Sequence, residues 1–296
     1  MCARKLLVFG GTGFIGSAVI KRALRRGWHV VCGTRGGLPA SGSPLSIELE
    51  RLKVAKQRSS VEAEGLEVLD FESSLEFITI DATSRSQVAQ FLEDQADASA
   101  IVSCVGKLTR DHDEARRVCG DANANIAAVL YESNHAARRF VLVSAEPPNP
   151  FNNVLCHRWV LKGYLLGKKI AERAVLENLG ARGVVLRPGF VYGSRYVPLG
   201  GSGISIPLWL LGKPLETVLR PLGKHGILVP PVNVDVVAEA ALQAAEGSTA
   251  SGILNYYDMQ ELWSRSKLSK VGDKQMDDYR SKVLQKEDPA NSKSKE

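Results

Sequence analysis

Apolar residues recur along much of the chain as short, largely apolar runs, separated by longer stretches with helical spacing. Leu6–Phe9 is the first run, and an unbroken apolar run of this length suits a parallel strand covered on both faces. Similar runs at Trp28–Gly33, Leu75–Ile80, Ala100–Val105, Phe140–Val143 and Val184–Leu186 are read as further strands. Between them the pattern predicts helices over Phe14–Arg26, Ser84–Asp94, Asp121–Ala137 and Gly163–Leu179. Gly27 and Gly180 follow the first and last of these, where a left-handed residue ends a helix most easily. Strand alternating with helix in this way predicts an α/β fold with a doubly wound parallel sheet.

Two stretches break the alternation. Gly36–Pro44 is turn-rich, and after it Ser46 is placed to cap a basic amphipathic helix over Ile47–Arg58. The whole of 36–76 is expected to form a lid or interaction surface near one end of the sheet. Residues 194–231 are rich in glycine, proline and leucine and are expected to cover the carboxyl edge of the strands. There Ile204, Ile206, Leu208, Trp209, Leu210 and Leu211 would line a substrate or partner cap, or else pack a small subdomain. Val232–Ala245 reads as a helix returning to the core, and from Met259 the charged, serine- and lysine-rich composition predicts a disordered tail. The expected organisation is a nucleotide-binding domain over 1–193, a small cap region over 194–258 and a tail over 259–296.

The chemistry starts where the first strand ends. Gly10, Gly13 and Gly16 stand at G-x-x-G-x-x-G spacing between that strand and its helix. Glycine in such a turn permits the tight bend, the approach of a pyrophosphate to backbone N–H groups, and close packing of helix on strand. The helix N-terminus adds unpaired N–H groups and partial positive charge. Gly10, Thr12, Gly13, Phe14, Ile15 and Gly16 are therefore the candidate phosphate-binding residues of a Rossmann-type dinucleotide site. An acidic residue after the second strand would bind the ribose hydroxyls of NAD; here Thr34-Arg35-Gly36-Gly37 carries no carboxylate. Arg35, aided by Thr34, is the candidate ligand for a 2′-phosphate, which favours NADP(H) over NAD(H). Asp81 either flanks the adenine or caps the following helix, and Gly106 leaves room beside the cofactor ribose.

Further along, Tyr164 and Lys168 form Y-x-x-x-K and share one helix face. An ammonium near the phenol would lower its pKa and make it an acid/base for a carbonyl, while the lysine also holds the nicotinamide ribose. Ser144, at the end of the fifth strand, is the candidate to orient a substrate oxygen, or else a local backbone partner. The histidines His112, His135, His157 and His225 show no metal spacing and receive no role, and no metal site is expected.

Composition narrows the setting. The net charge of +6 over 296 residues comes without an aromatic-basic platform, so nucleic acid is not an expected partner. It suits a phosphorylated cofactor or an anionic membrane face. No apolar run reaches the ~18–20 residues needed to span a bilayer. The five scattered cysteines, without a C-x-x-C pair, point to a reducing compartment. With the first strand read from about residue 5, no signal peptide or cleavable transit sequence is expected, as for a chain not imported by that route or a mature or internally targeted form.

Taken together, GGTGFIG, Ser144, Tyr164-x-x-x-Lys168 and RPGFVYG (Arg187–Gly193) resemble the extended and atypical short-chain dehydrogenase/reductases, the NAD-dependent epimerase/dehydratase-like group, over residues 4–245. The phrases G-Y-x-x-x-K-x-x-A-E and V-L-R-P-G-F-x-Y-G are most similar to an atypical branch. That branch holds a member of the mitochondrial coenzyme Q synthesis complex, an NADPH-carrying accessory subunit of respiratory complex I, and plastid homologues. The resemblance implies that Pro188 and Phe190 lie in the cofactor pocket. It further implies a quinone or lipid-like substrate, a mitochondrial inner-membrane protein complex as partner, and a mitochondrial location, with plastid or cytoplasm as alternatives. The usual paired Ser-Ser/Thr is reduced to Ser144-Ala145, which sets the chain apart from sugar-nucleotide epimerases. Three functions stay open at this level: a reductase acting on a carbonyl or quinone, a nucleotide-stabilised scaffold, and an epimerase or dehydratase.

Overall fold

The computed structural model describes residues 4–43, 45–50, 74–133, 135–147, 161–199, 202–207, 213–217 and 229–268. Seven strands form one parallel sheet: β1 (Lys5–Phe9), β2 (His29–Thr34), β3 (Leu75–Thr79), β4 (Ala100–Ser103), β5 (Arg139–Val143), β6 (Gly183–Leu186) and, late in the chain, β11 (Gly252–Leu254). Their order across the sheet is β11-β6-β5-β4-β1-β2-β3. The order reverses direction at β1, which pairs with β2 on one side and β4 on the other. A crevice opens at such a switch point, beyond the carboxyl ends of the strands.

The unbroken apolar run of β1 has its reason in two cores. Leu6 and Val8 face one side, with α1 (Phe14–Leu24), α6 (Val234–Ala245) and a helix over 256–268. Leu7 and Phe9 face the other, with α2 (Arg85–Asp94), α4 (Ala122–Glu132) and α5 (Lys162–Leu179). All four side chains are fully buried. Period-two alternation does place these residues on opposite faces, but both faces are apolar, so no polar position marks it.

Three expectations are corrected. The helix predicted over Asp121–Ala137 starts earlier: Asp111 caps α3 (His112–Arg116) by accepting from the N–H groups of Asp113 and Glu114, both at 3.0 Å. A π-turn over Arg117–Asp121 joins α3 to α4, which ends at Glu132. The helix predicted from Val232 begins at Val234, because Val232–Asn233 (β10) pairs with Val191–Tyr192 (β7) and Asn233 caps α6 through the N–H of Asp235 at 2.8 Å. Residues 259–268 of the disordered tail predicted from Met259 belong instead to the helix over 256–268, where Tyr256, Met259 and Leu262 join the core. Tertiary burial of three apolar residues at helical spacing overrides a charged composition there.

Strand β11, α6 and the helix over 256–268 thus extend the parallel sheet and its core. On its outer side, buried Glu239 of α6 receives Arg22 Nη1 of α1 at 2.8 Å and also Arg26, just past the end of α1. Arg22 stacks over Trp263 at 5.0 Å from the ring centroid, tying in the helix over 256–268. Between β7 and this helix, Glu216 accepts from Tyr192, from Tyr256 at 2.6 Å and from Gln260 at 2.7 Å. Strands β8 (Ser194–Leu199) and β9 (Ser202–Pro207) form an antiparallel hairpin within the expected cap region. The apolar lining expected over Ile204–Leu211, most of the helix expected over Ile47–Arg58, and the tail beyond 268 lie outside the described side chains or residues. Among the described residues no helix is long and apolar enough to cross a membrane.

Candidate functional site

A cavity of about 250 Å³ occupies the crevice at the switch point. Its lining brings together Gly10, Thr12 and Gly13 from the glycine loop, Thr34 and Arg35 from the end of β2, Asp81 after β3, and Gly106 after β4. Six of the predicted cofactor residues thus meet at one place. Gly10 has φ +73°, the left-handed region, and a Cβ there would stand 3.2 Å from the backbone of Cys104 and Val105. A Cβ at Gly16 would stand 2.3 Å from the Gly10 carbonyl oxygen and 2.7 Å from Gly11 Cα, so α1 packs directly on the loop. The loop closes on itself through Gly13 N–H to Gly10 O at 3.1 Å, and the first helical bond runs from Ser17 N–H to Gly13 O at 2.9 Å. The N–H groups of Phe14, Ile15 and Gly16 are the orphan donors of this helix start. Their side chains do not line the cavity: Ile15 packs on the core, and the Phe14 ring lies beside Gly193.

At the other end, Arg35 is exposed and has no hydrogen-bond or ion-pair partner among the described residues. Thr34 donates its hydroxyl to the Gly37 carbonyl at 2.7 Å, which fixes the turn that presents Arg35. Asp81 does not cap α2. Its Oδ1 accepts from the N–H and hydroxyl of Thr83, both at 2.9 Å. Those bonds, foremost the Thr83 N–H, hold its carboxyl below the usual range, with Arg35 and Arg117 adding to the effect. The thiols of Cys32 and Cys104 are each pushed up to about 12 by burial, so both remain neutral beside the loop.

The Y-x-x-x-K pair lies beyond Gly106. Lys168 is buried, and its Nζ donates to the carbonyls of Val143 at 2.7 Å and Val105 at 3.2 Å. A Cβ at Gly106 would come within 3.3 Å of that Nζ, so the missing side chain leaves the ammonium its place. Burial pushes the Lys168 pKa down. The predicted effect of Lys168 on Tyr164 is corrected. The ammonium stands over the face of the Tyr164 ring, 5.9 Å from its centroid, and burial pushes the phenol pKa up from 10.0. Desolvation penalises the phenolate more than the ammonium, occupied by two carbonyls, can favour it. The Tyr164 phenol is therefore protonated at neutral pH. Difference absorbance between the chain and its Tyr164→Phe variant should show no tyrosinate from this residue at pH 10; a half-ionised signal there would overturn the assignment.

Ser144 is nearly inaccessible and turns its hydroxyl onto Glu172. Pro188 is buried and its carbonyl accepts from Glu146 N–H at 2.9 Å, whereas Phe190 is 57% exposed; neither lines the cavity. The sequence reading missed Asn123, Glu172, Val118, Ala122 and Thr83. Val118, Ala122 and Thr83 line the cavity, two of them delivered by the π-turn and the start of α4. Asn123 is fully buried, takes the Ser103 hydroxyl, and donates to Cys119 O at 2.8 Å and Val105 O at 3.3 Å. It thereby satisfies a carbonyl within the π-turn. Glu172 continues the line of Tyr164 and Lys168 by one more helical turn, a spacing that could have signalled it.

Residues 6–211 match the NAD dependent epimerase/dehydratase family. The chain belongs to that family. An uncharacterised chloroplastic protein of Arabidopsis thaliana is 31% identical over 271 residues, covering 88% of this chain and 77% of the relative. Among solved structures, the Bordetella bronchiseptica enzyme WbmH in complex with NAD+ aligns with a TM-score of 0.55 at 17% identity, over 86% of this chain and 76% of that one. A UDP-glucose 4-epimerase of Thermotoga maritima, with UDP-glucose, aligns with a TM-score of 0.52 at 17% identity, over 85% and 76%. The structural likenesses establish the Rossmann-type fold, and the match over residues 6–211 the family.

Proposed function

We propose that this family member binds a nicotinamide dinucleotide, NADP(H) in preference to NAD(H), and acts as a reductase on a carbonyl or quinone-type group. The observation that carries the reading is the cavity joining the glycine loop, Arg35 and Gly106. The residues present fit such a ligand: a cradle that a Cβ at Gly10 or Gly16 would fill, orphan N–H groups at the start of α1, and an exposed guanidinium with no hydrogen-bond or ion-pair partner among the described residues. The loop would hold the pyrophosphate, Arg35 the 2′-phosphate, and Lys168 the nicotinamide ribose. The nicotinamide, once bound, supplies the hydride chemistry. The chain's own part is to bind, to orient and to move a proton: Tyr164, kept protonated by burial, donates to a substrate oxygen.

The quinone assignment, and with it a role in quinone synthesis or respiratory-complex assembly at a membrane, is supported by the sequence phrases around Tyr164 and Arg187. The chloroplastic relative supports a plastid rather than a mitochondrion as the compartment. A scaffold with a permanently held nucleotide is the second reading. It is favoured by the engagement of Ser144 with Glu172, and of Lys168 with two backbone carbonyls.

The test is to denature purified protein, identify any released nucleotide, and titrate the stripped chain with NADPH and NADH. Preferential binding of NADPH is expected, and Arg35→Ala should weaken it by about tenfold while leaving NADH unchanged, the cost of one charge-assisted hydrogen bond. A stoichiometric, slowly exchanging nucleotide favours the scaffold, and reversible binding favours the enzyme. A chain that neither carries nor binds either nucleotide overturns both.

A further inference from the structure

Glu172 is a buried charge that the reading above leaves without a function. It stands on α5 four residues past Lys168 and eight past Tyr164, on one helix face, and its side chain is 10% exposed. Its carboxylate accepts from the Ser144 hydroxyl at the end of β5. It also accepts from Arg187, through Nε at 3.1 and 3.2 Å and through Nη2 at 2.6 Å. Arg187 opens the turn after β6, and its backbone N–H donates to Leu254 O of β11 at 2.9 Å. The turn after β5 is joined to the same place, since Glu146 N–H donates to Pro188 O at 2.9 Å. One carboxylate thus links the helix of Tyr164 and Lys168 to two strand-end turns.

A buried ion pair adds little net stability, because the desolvation of both charges offsets their attraction. What it fixes is geometry. With its proton on Glu172, Ser144 Oγ is left as an acceptor. We propose that Glu172 is a positioning residue: through Ser144 and Arg187 it sets the 144–146 and 187–190 turns against Tyr164 and Lys168, at the end of the site that takes the nicotinamide. This rests on the dinucleotide reading and extends it to a residue whose effect is confined to one end of the ligand.

The experiment compares two ligands on the full chain: the reduced dinucleotide that the wild type binds more tightly, and the matching ADP-ribose that lacks the nicotinamide. Affinities are read by titration, and the environment of the reduced nicotinamide by its emission when bound. Glu172→Gln should weaken the dinucleotide by about tenfold, the scale of one buried hydrogen bond, and alter the bound emission. Its affinity for the ADP-ribose should not change, and Glu172→Asp should recover part of the loss. A folded Glu172→Gln chain that loses both ligands equally, or neither, overturns the proposal. Should Glu172→Gln fail to fold, Ser144→Ala and Arg187→Lys carry the same comparison, and unaltered emission in both overturns it. A wild type that binds neither ligand removes the dinucleotide reading itself, a result distinct from any of these.

Discussion

Gly16→Ala is expected to abolish dinucleotide binding and to destabilise the fold. A Cβ at this position meets backbone, not a side chain that can swing away: the Gly10 carbonyl oxygen at 2.3 Å and Gly11 Cα at 2.7 Å. Relief requires the start of α1 to move off the loop, and the orphan N–H groups of Phe14–Gly16 move with it. Overpacking of this kind costs about 1–3 kcal/mol, and backbone as the obstacle puts this case at the upper end. Urea unfolding should show a lower midpoint, and a fluorescence titration should show no saturable NADPH or NADH binding. Gly36→Ala is the matched control for stability, since a Cβ there meets nothing within 4 Å. If Gly16→Ala melts and binds as the wild type does, the loop and helix do not pack as described.

The second large effect lies far from the cavity. Glu239→Ala should cost about 3 kcal/mol, because removing one partner of a buried ion pair leaves the other charges uncompensated. The Glu239 side chain is fully buried, while Arg22 and Arg26 retain some exposure and can be hydrated in part, which keeps the loss at the low end for such pairs. Burial pushes the Glu239 carboxyl pKa up, but the bonds from Gln243 and Arg26 and the charge of Arg22 outweigh it and hold the group below the ordinary 4.5. A carboxylate lowered by folding contributes stability that is fully present above its unfolded value and is lost as pH falls through the folded one. The gap between wild type and Glu239→Ala should therefore be constant above about pH 5 and shrink at lower pH. Urea midpoints measured across that range check it; a gap that widens on acidification contradicts the assignment.

Most of the sheet and one end of the site were legible in the residues themselves. Strands buried on both faces read as unbroken apolar runs, and the G-x-x-G-x-x-G turn announces both a tight bend and a phosphate cradle. Arg35 was legible because its position after β2 is fixed by local sequence. The strand β11 was not, since three residues, Gly252–Leu254, are too few to carry a period. The helix over 256–268 was hidden by charge, because composition reports the solvated face as loudly as the buried one. The continuous helix from His112 was obscured by the π-turn, which shifts the apolar face by one residue midway.

By itself, then, the sequence determined the alternation of strand and helix, the parallel sheet, the glycine loop and the family to which the chain belongs, because each rests on short-range pattern, whereas the strand order and its switch point came with the tertiary structure. Only the tertiary structure decided the states of Tyr164, Lys168 and Ser144. Spacing alone put an ammonium beside a phenol and predicted a lowered pKa. The folded chain instead buries Lys168 and half-buries Tyr164, gives the ammonium to two backbone carbonyls, and points the serine hydroxyl at Glu172. Protonation and hydrogen-bond partners depend on burial and on neighbours distant in the chain, and i to i+4 spacing carries no information about either.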